Sequence, residues 1–175
     1  MQLTRRHHAT RVVSSLVLAG CLGLAGCGSG THAAAGDPAL PQGPAATATV
    51  MLVSVPGLGK VLADGSRHVL YMFPPDAGGR VSCTGACAGT WPPLAIKDGP
   101  RPAARAGVNP QLLGTLPDPN TGGRAVTYGG YPLYRYAGDV DGGTANGQAL
   151  FLNGGPWYAL DANGQPITAD PNGGS

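Results

Sequence analysis

The sequence predicts an all-β protein, a compact domain of short strands built from two related repeats. Three observations predict it. Thirty Gly and seventeen Pro in 175 residues interrupt helices throughout but suit short strands and turns. Runs such as TVMLVSV (Thr49–Val55) and HVLYMF (His68–Phe73) are β-branched or apolar over strand length. Finally, LYMFPPD (Leu70–Asp76) returns as LYRYAGD (Leu133–Asp139), both fitting L-Y-x-[FY]-x-x-D.

The chain opens with MQLTRRHHATR and turns apolar at Val12. Basic residues before a short apolar run describe a secretory signal, too short to span a bilayer comfortably. LAGC occurs twice near its end, at Leu18–Cys21 and Leu24–Cys27. Leu-Ala-Gly-Cys resembles the bacterial lipobox, in which cleavage before Cys leaves that Cys to carry lipid. Cys27 is the preferred site. A stop at Cys21 leaves about six apolar residues, below the usual run of roughly 7–15, so Cys21 stands as the alternative. Residues 1–26 are then the signal peptide. Arg5-Arg6 is not followed by residues that support twin-arginine export.

Loss of Arg5, Arg6 and Arg11 turns a net charge of +2 into eight Lys/Arg against nine Asp, with no Glu anywhere. No basic face argues for nucleic acid. The expected membrane link is covalent lipid, not electrostatics. Residues 27–49 have no apolar period and are rich in Gly, Ala, Pro and Thr. They read as a lipid-anchored, disordered tether with a reach of roughly 25 Å.

The strands follow in order. TVMLVSV is broken by PGLG, and KVLAD forms the next strand. Asp64-Gly65 then turns the chain into HVLYMF, a strong hairpin signal between apolar runs. AVTY, Gly129-Gly130 and YPLYRY read as a second hairpin, and WYALDANGQPI places Asn163-Gly164 between two short strands. Aligning Tyr71 with Tyr134 brings Phe73 onto Tyr136 and Asp76 onto Asp139, and Trp91 meets Trp157 farther on, the Tyr-to-Trp spacing being 20 in the first copy and 23 in the second. The repeats are residues 50–96 and 114–168. A connecting segment, 97–113, carries a short helical turn near Asn109–Leu113. Residues 169–175 form a C-terminal tail.

LYMFPPD and LYRYAGD resemble the Y-x-[FWY]-x-x-D motif of bacterial secreted-repeat lipoproteins. The surroundings agree: SCTGACAGTWPPL in the first copy, AVTYGGYPLYRYAGD and GGPWYALDANG in the second. The resemblance covers residues 51–165 and the lipobox. It implies export and anchoring, in a family whose biochemical role is not established. The second copy lacks the Cys pair and has GGTANGQ there, so thiols cannot serve a function that both repeats share.

The marked residues have structural readings first. On a strand, Tyr71 and Phe73 share one face, as do Tyr134 and Tyr136. Asp76 and Asp139 come just past it, where Asp accepts backbone N–H groups two or three residues on. Trp91 and Trp157 each begin a strand and pack in the core. The alternative is an aromatic-plus-carboxylate site for a glycan or peptide.

Cys83 and Cys87 form C-x3-C, which outside the cytoplasm reads as a disulfide. The five-residue loop would contribute about 2 kcal/mol. The alternative is a redox-active pair. Two thiols are half a zinc site, and His68 is the only His beyond the tether. No metal site, haem attachment or other cofactor is therefore expected. There is no G-x-S-x-G, and His68 lacks partners for general-base work, so no catalytic residue is assigned. The expectation is a non-enzymatic, lipid-anchored envelope protein that binds or scaffolds, with a protein or glycan of the envelope as its ligand. Outer-membrane placement applies if the envelope is Gram-negative. The alternative is an extracytoplasmic redox or electron-transfer component using Cys83 and Cys87.

Overall fold

The computed structural model describes residues 48–96 and 101–171; Cys21, Cys27, the signal peptide and all but the end of the tether lie outside the described residues. In chain order the strands are β1 (Thr49–Val55), β2 (Gly59–Asp64) and β3 (Tyr71–Met72). One five-residue helix, α1 (Ala86–Thr90), precedes β4 (Ala95–Ile96) and β5 (Ala103–Ala104). Then come β6 (Leu113–Pro117), β7 (Arg124–Tyr128) and β8 (Tyr131–Pro132). β9 (Phe151–Leu152), β10 (Gly155–Pro156) and β11 (Tyr158–Ala159) complete the set. The protein is all-β, as its turn-rich composition predicts.

Two hairpins frame it. β1 and β2 pair antiparallel with Leu52 opposite Leu62, and β6 and β7 pair antiparallel with Thr115 opposite Val126. The Gly129-Gly130 turn leads into β8, and both glycines have positive φ, 57° and 88°. That conformation matches the twist of a tight hairpin and admits few residues with a side chain.

The hairpins are joined by exchange. β4, from the first repeat, pairs with β7 of the second, Ala95 opposite Ala125. In return Leu62 N–H of β2 donates to the Leu160 carbonyl at 2.9 Å, and Val126 N–H donates to the Leu94 carbonyl at 2.9 Å. β3 pairs with β11. At the centre Tyr71 and Tyr134 exchange both backbone hydrogen bonds, each 2.9 Å. Each repeat therefore completes the sheet of the other.

The central ribbon divides two cores. Tyr71 and Phe73 enter one with Trp91, Tyr134 and Trp157. Leu70 and Met72 enter the other with Leu94, Val126, Leu133 and Leu160. A strand alternates its side chains between faces; with both faces covered, LYMF reads as an unbroken apolar run. In the second copy Arg135 replaces Met72, is 43% exposed, and donates from Nε to Asp64 Oδ2 at 2.6 Å.

Several expectations need correction. HVLYMF is strand only at Tyr71–Met72, because Pro74 opens a 3-10 turn over Pro74–Asp76. Trp91 does not begin a strand. It caps α1, and Pro92-Pro93, lacking N–H donors, delays β4 to Ala95. Trp157 lies between β10 and β11. The segment 97–113 is more than a joiner: β5 lies parallel against β1. The helical turn expected near Asn109–Leu113 is a 3-10 turn over Pro110–Leu112, with Asn109 Oδ1 accepting from Gln111 N–H at 3.0 Å. After Asn163-Gly164 the second strand reduces to a bridge between Leu160 and Pro166.

Candidate functional site

The motif residues of the two repeats meet, and they meet crosswise. Tyr71 Oη donates to Asp139 Oδ2 at 2.7 Å, and Tyr134 Oη donates to Asp76 Oδ2 at 2.5 Å. Each carboxylate uses its other oxygen on the loop that follows it. Asp76 Oδ1 accepts Ser82 N–H at 2.8 Å and also the Ser82 hydroxyl. Asp139 Oδ1 accepts Asn146 N–H at 2.7 Å. The tyrosine oxygens are also matched: Gly147 N–H donates to Tyr71 Oη at 3.3 Å, and the Cys83 backbone serves Tyr134. Asp76 and Asp139 do accept backbone N–H groups, but six and seven residues on, and each also clasps the opposite repeat.

Both phenols are buried, as are both carboxylates. Burial, reinforced by the Asp139 charge beside Tyr71 and by the Asp76 hydrogen bond to Tyr134, pushes both phenols above their usual range. Burial also raises Asp139, against the opposing effect of the Tyr71 hydrogen bond. The phenols are held as donors and the carboxylates as acceptors. A buried hydroxyl left without that acceptor costs about 1–3 kcal/mol.

A column of rings fills the space between the clasps. Phe73 stacks on Trp157 at 4.2 Å, Trp157 on Trp91 at 3.9 Å, and Trp91 on Tyr136 at 4.4 Å. The repeats alternate along it. Tyr71 stands edge-on to Trp91 at 5.4 Å and Tyr134 edge-on to Trp157 at 5.1 Å. Edge-on and offset contacts suit the ring quadrupoles. Apart from half-buried Tyr136 these rings are at most 3% exposed. The aromatic-plus-carboxylate ligand face considered from sequence is thus turned inward and used.

The two loops capping this column differ. In the first repeat Cys83 and Cys87 form a disulfide, Cα–Cα 5.2 Å, across the start of α1. Cys83 lies in the core, and its carbonyl accepts from Asn120 Nδ2 at 3.0 Å. In the second repeat β9 and β10 form a hairpin, and the Leu152 carbonyl accepts Trp157 Nε1–H at 3.1 Å. Trp91 Nε1 is buried without a partner among the described residues.

Sequence reasoning passed over three anchoring residues. Asp64 Oδ1 accepts Ser66 and His68 N–H groups while its Oδ2 meets Arg135. Buried Gln148 accepts Ala159 N–H and donates to the Ile167 and Ala169 carbonyls. Gly147 admits Trp91, whose Cη2 would lie 2.8 Å from any Cβ there. Only the Asp64-Gly65 turn carried a signal that could have been followed to its side chain.

Fold and site together define an interlocked two-repeat β module whose recurring motif is a structural clasp. Residues 53–95, within the first repeat, match the family model of a secreted repeat of unknown function. No curated protein and no solved structure matches the chain. The secreted description fits an extracytoplasmic protein. Among the described residues no helix is long and apolar enough to cross a membrane.

Proposed function

We propose that this is a non-catalytic binding or scaffolding module of the bacterial envelope, tethered to the membrane by lipid on Cys27. The supporting observation is the reciprocal clasp. The four polar groups that recur with the repeat, Tyr71, Asp76, Tyr134 and Asp139, are all engaged with one another or with adjacent loops. The motif recurs because the fold needs it twice, and recognition falls to surfaces outside it. The partner class is an envelope protein or glycan, and neither nucleic acid nor a cofactor enters the reading. The buried position of Cys83 favours a structural bridge over exchange with a redox partner.

The anchor is tested by Cys27→Ser and Cys21→Ser in the expressing bacterium. Cys27→Ser is expected to release the protein from the membrane fraction, and Cys21→Ser to leave it there. Membrane partition unchanged by Cys27→Ser would overturn the anchor assignment.

A further inference from the structure

We propose that the cleft beside β1 binds an anionic amphiphile, a carboxylate carrying a short apolar body. This goes beyond the protein or glycan partner of the binding-module reading and is independent of the lipid anchor. The cleft has a volume of about 630 Å³, within the roughly 300–1,000 Å³ of small-molecule sites. Arg67 and Arg105 border it, and Met51 supplies half-buried apolar surface.

The cleft belongs to the part of the molecule that the repeat symmetry does not require. β5, which leads into Arg105, pairs with β1, whereas among the described residues β6, the counterpart of β1, pairs with β7 alone. Arg67 closes the Gly65-Ser66 turn, where the second repeat has the simple Gly129-Gly130 pair. Its φ is +74°, a left-handed conformation that a non-glycine residue adopts at a cost. The surroundings hold it there. Arg67 N–H donates to the Asp64 carbonyl and its own carbonyl accepts Gly143 N–H, both at 2.9 Å. A Cβ at Gly142 would lie 2.8 Å from the Arg67 Cβ. A glycine would suit this backbone better, so the side chain is what the strained position retains.

Among the described residues no carboxylate lies within ion-pair distance of either guanidinium. Asp64, nearby in the same turn, pairs with Arg135 and His68 instead. Guanidinium groups match carboxylate oxygens with parallel hydrogen bonds. The Met51 thioether adapts to an apolar body, whereas Leu52, the next residue of the strand, packs toward the other core. Together the guanidinium groups and this thioether fit a head group and a short chain better than a bare inorganic anion.

The test uses the full chain with methyl-labelled methionine, titrated with octanoate and observed by NMR. Met51 lies in the cleft and Met72 is buried in the core, so Met72 reports on the fold. Saturable shifts at Met51 alone are expected. Arg105→Gln should weaken binding about tenfold or more, the equivalent of one charge-assisted hydrogen bond. Arg67→Gly should weaken it similarly while raising the thermal midpoint, a combination that a purely structural arginine would not give. A Met51 signal that does not move, binding unchanged in both variants, or inorganic phosphate binding as tightly as octanoate would each overturn the proposal. None of these results bears on membrane partition of Cys27→Ser.

Discussion

The two loops that cap the tryptophan pair solve one problem by different means. Below them the halves correspond: tyrosine to carboxylate, carboxylate to loop N–H, indole on indole. Above them the first repeat uses a disulfide and a five-residue helix, and the second a hairpin that offers a carbonyl to Trp157. What both halves need is symmetric, and what each loop does for itself is not. The arginine-bordered cleft also lies on the asymmetric side of that division.

The largest expected effect concerns the shared column. Trp91→Ala and Trp157→Ala should each lose about 3–5 kcal/mol, read by denaturant unfolding, because each ring is stacked between two rings of the other repeat. A loss confined to one of them would break the symmetry of the core. The disulfide comes next. Cys83→Ser with Cys87→Ser should cost about 2 kcal/mol, and the bridge should have a reduction potential below about −300 mV. A distinctly higher potential, with one sulfur alkylating first, would favour redox exchange.

The indole nitrogens sharpen the comparison further. Among the described residues Trp157→Phe removes a hydrogen bond to Leu152 and Trp91→Phe removes none. Trp157→Phe should therefore be the costlier by about 1 kcal/mol, measured as a difference in unfolding free energy. Alkaline pH acts on both clasps together. The folded phenols titrate above their unfolded value. Their contribution is complete below about pH 10 and declines as pH rises past it, because the unfolded chain then releases protons that the folded chain keeps. The thermal midpoint should fall above that pH, and less steeply in Tyr71→Phe with Tyr134→Phe.

Much of this was legible in the sequence. Gly and Pro punctuation marked the hairpins, and the Tyr-to-Trp spacing marked two copies of one unit. The crossing was not legible. Alignment sets Tyr71 beside Asp76 in one motif, and local turn chemistry supplies that aspartate with nearby donors. Nothing in either copy says that its strand completes the partner's sheet, because exchange is a property of the pair. β5 was hidden for a simpler reason: Ala103-Ala104 has little β-propensity, and its position comes from pairing with β1. The helix α1 was hidden because a Gly-containing, disulfide-closed loop shows no helical period.

The central claim is that the motif binds across repeats rather than within them, and double-mutant cycles test it directly. Tyr71→Phe is combined with Asp139→Asn in one cycle and with Asp76→Asn in another, and unfolding free energies are measured. The reciprocal clasp predicts a coupling of about 1–3 kcal/mol between Tyr71 and Asp139, and near zero between Tyr71 and Asp76. Coupling within the repeat, with none across it, would contradict the account.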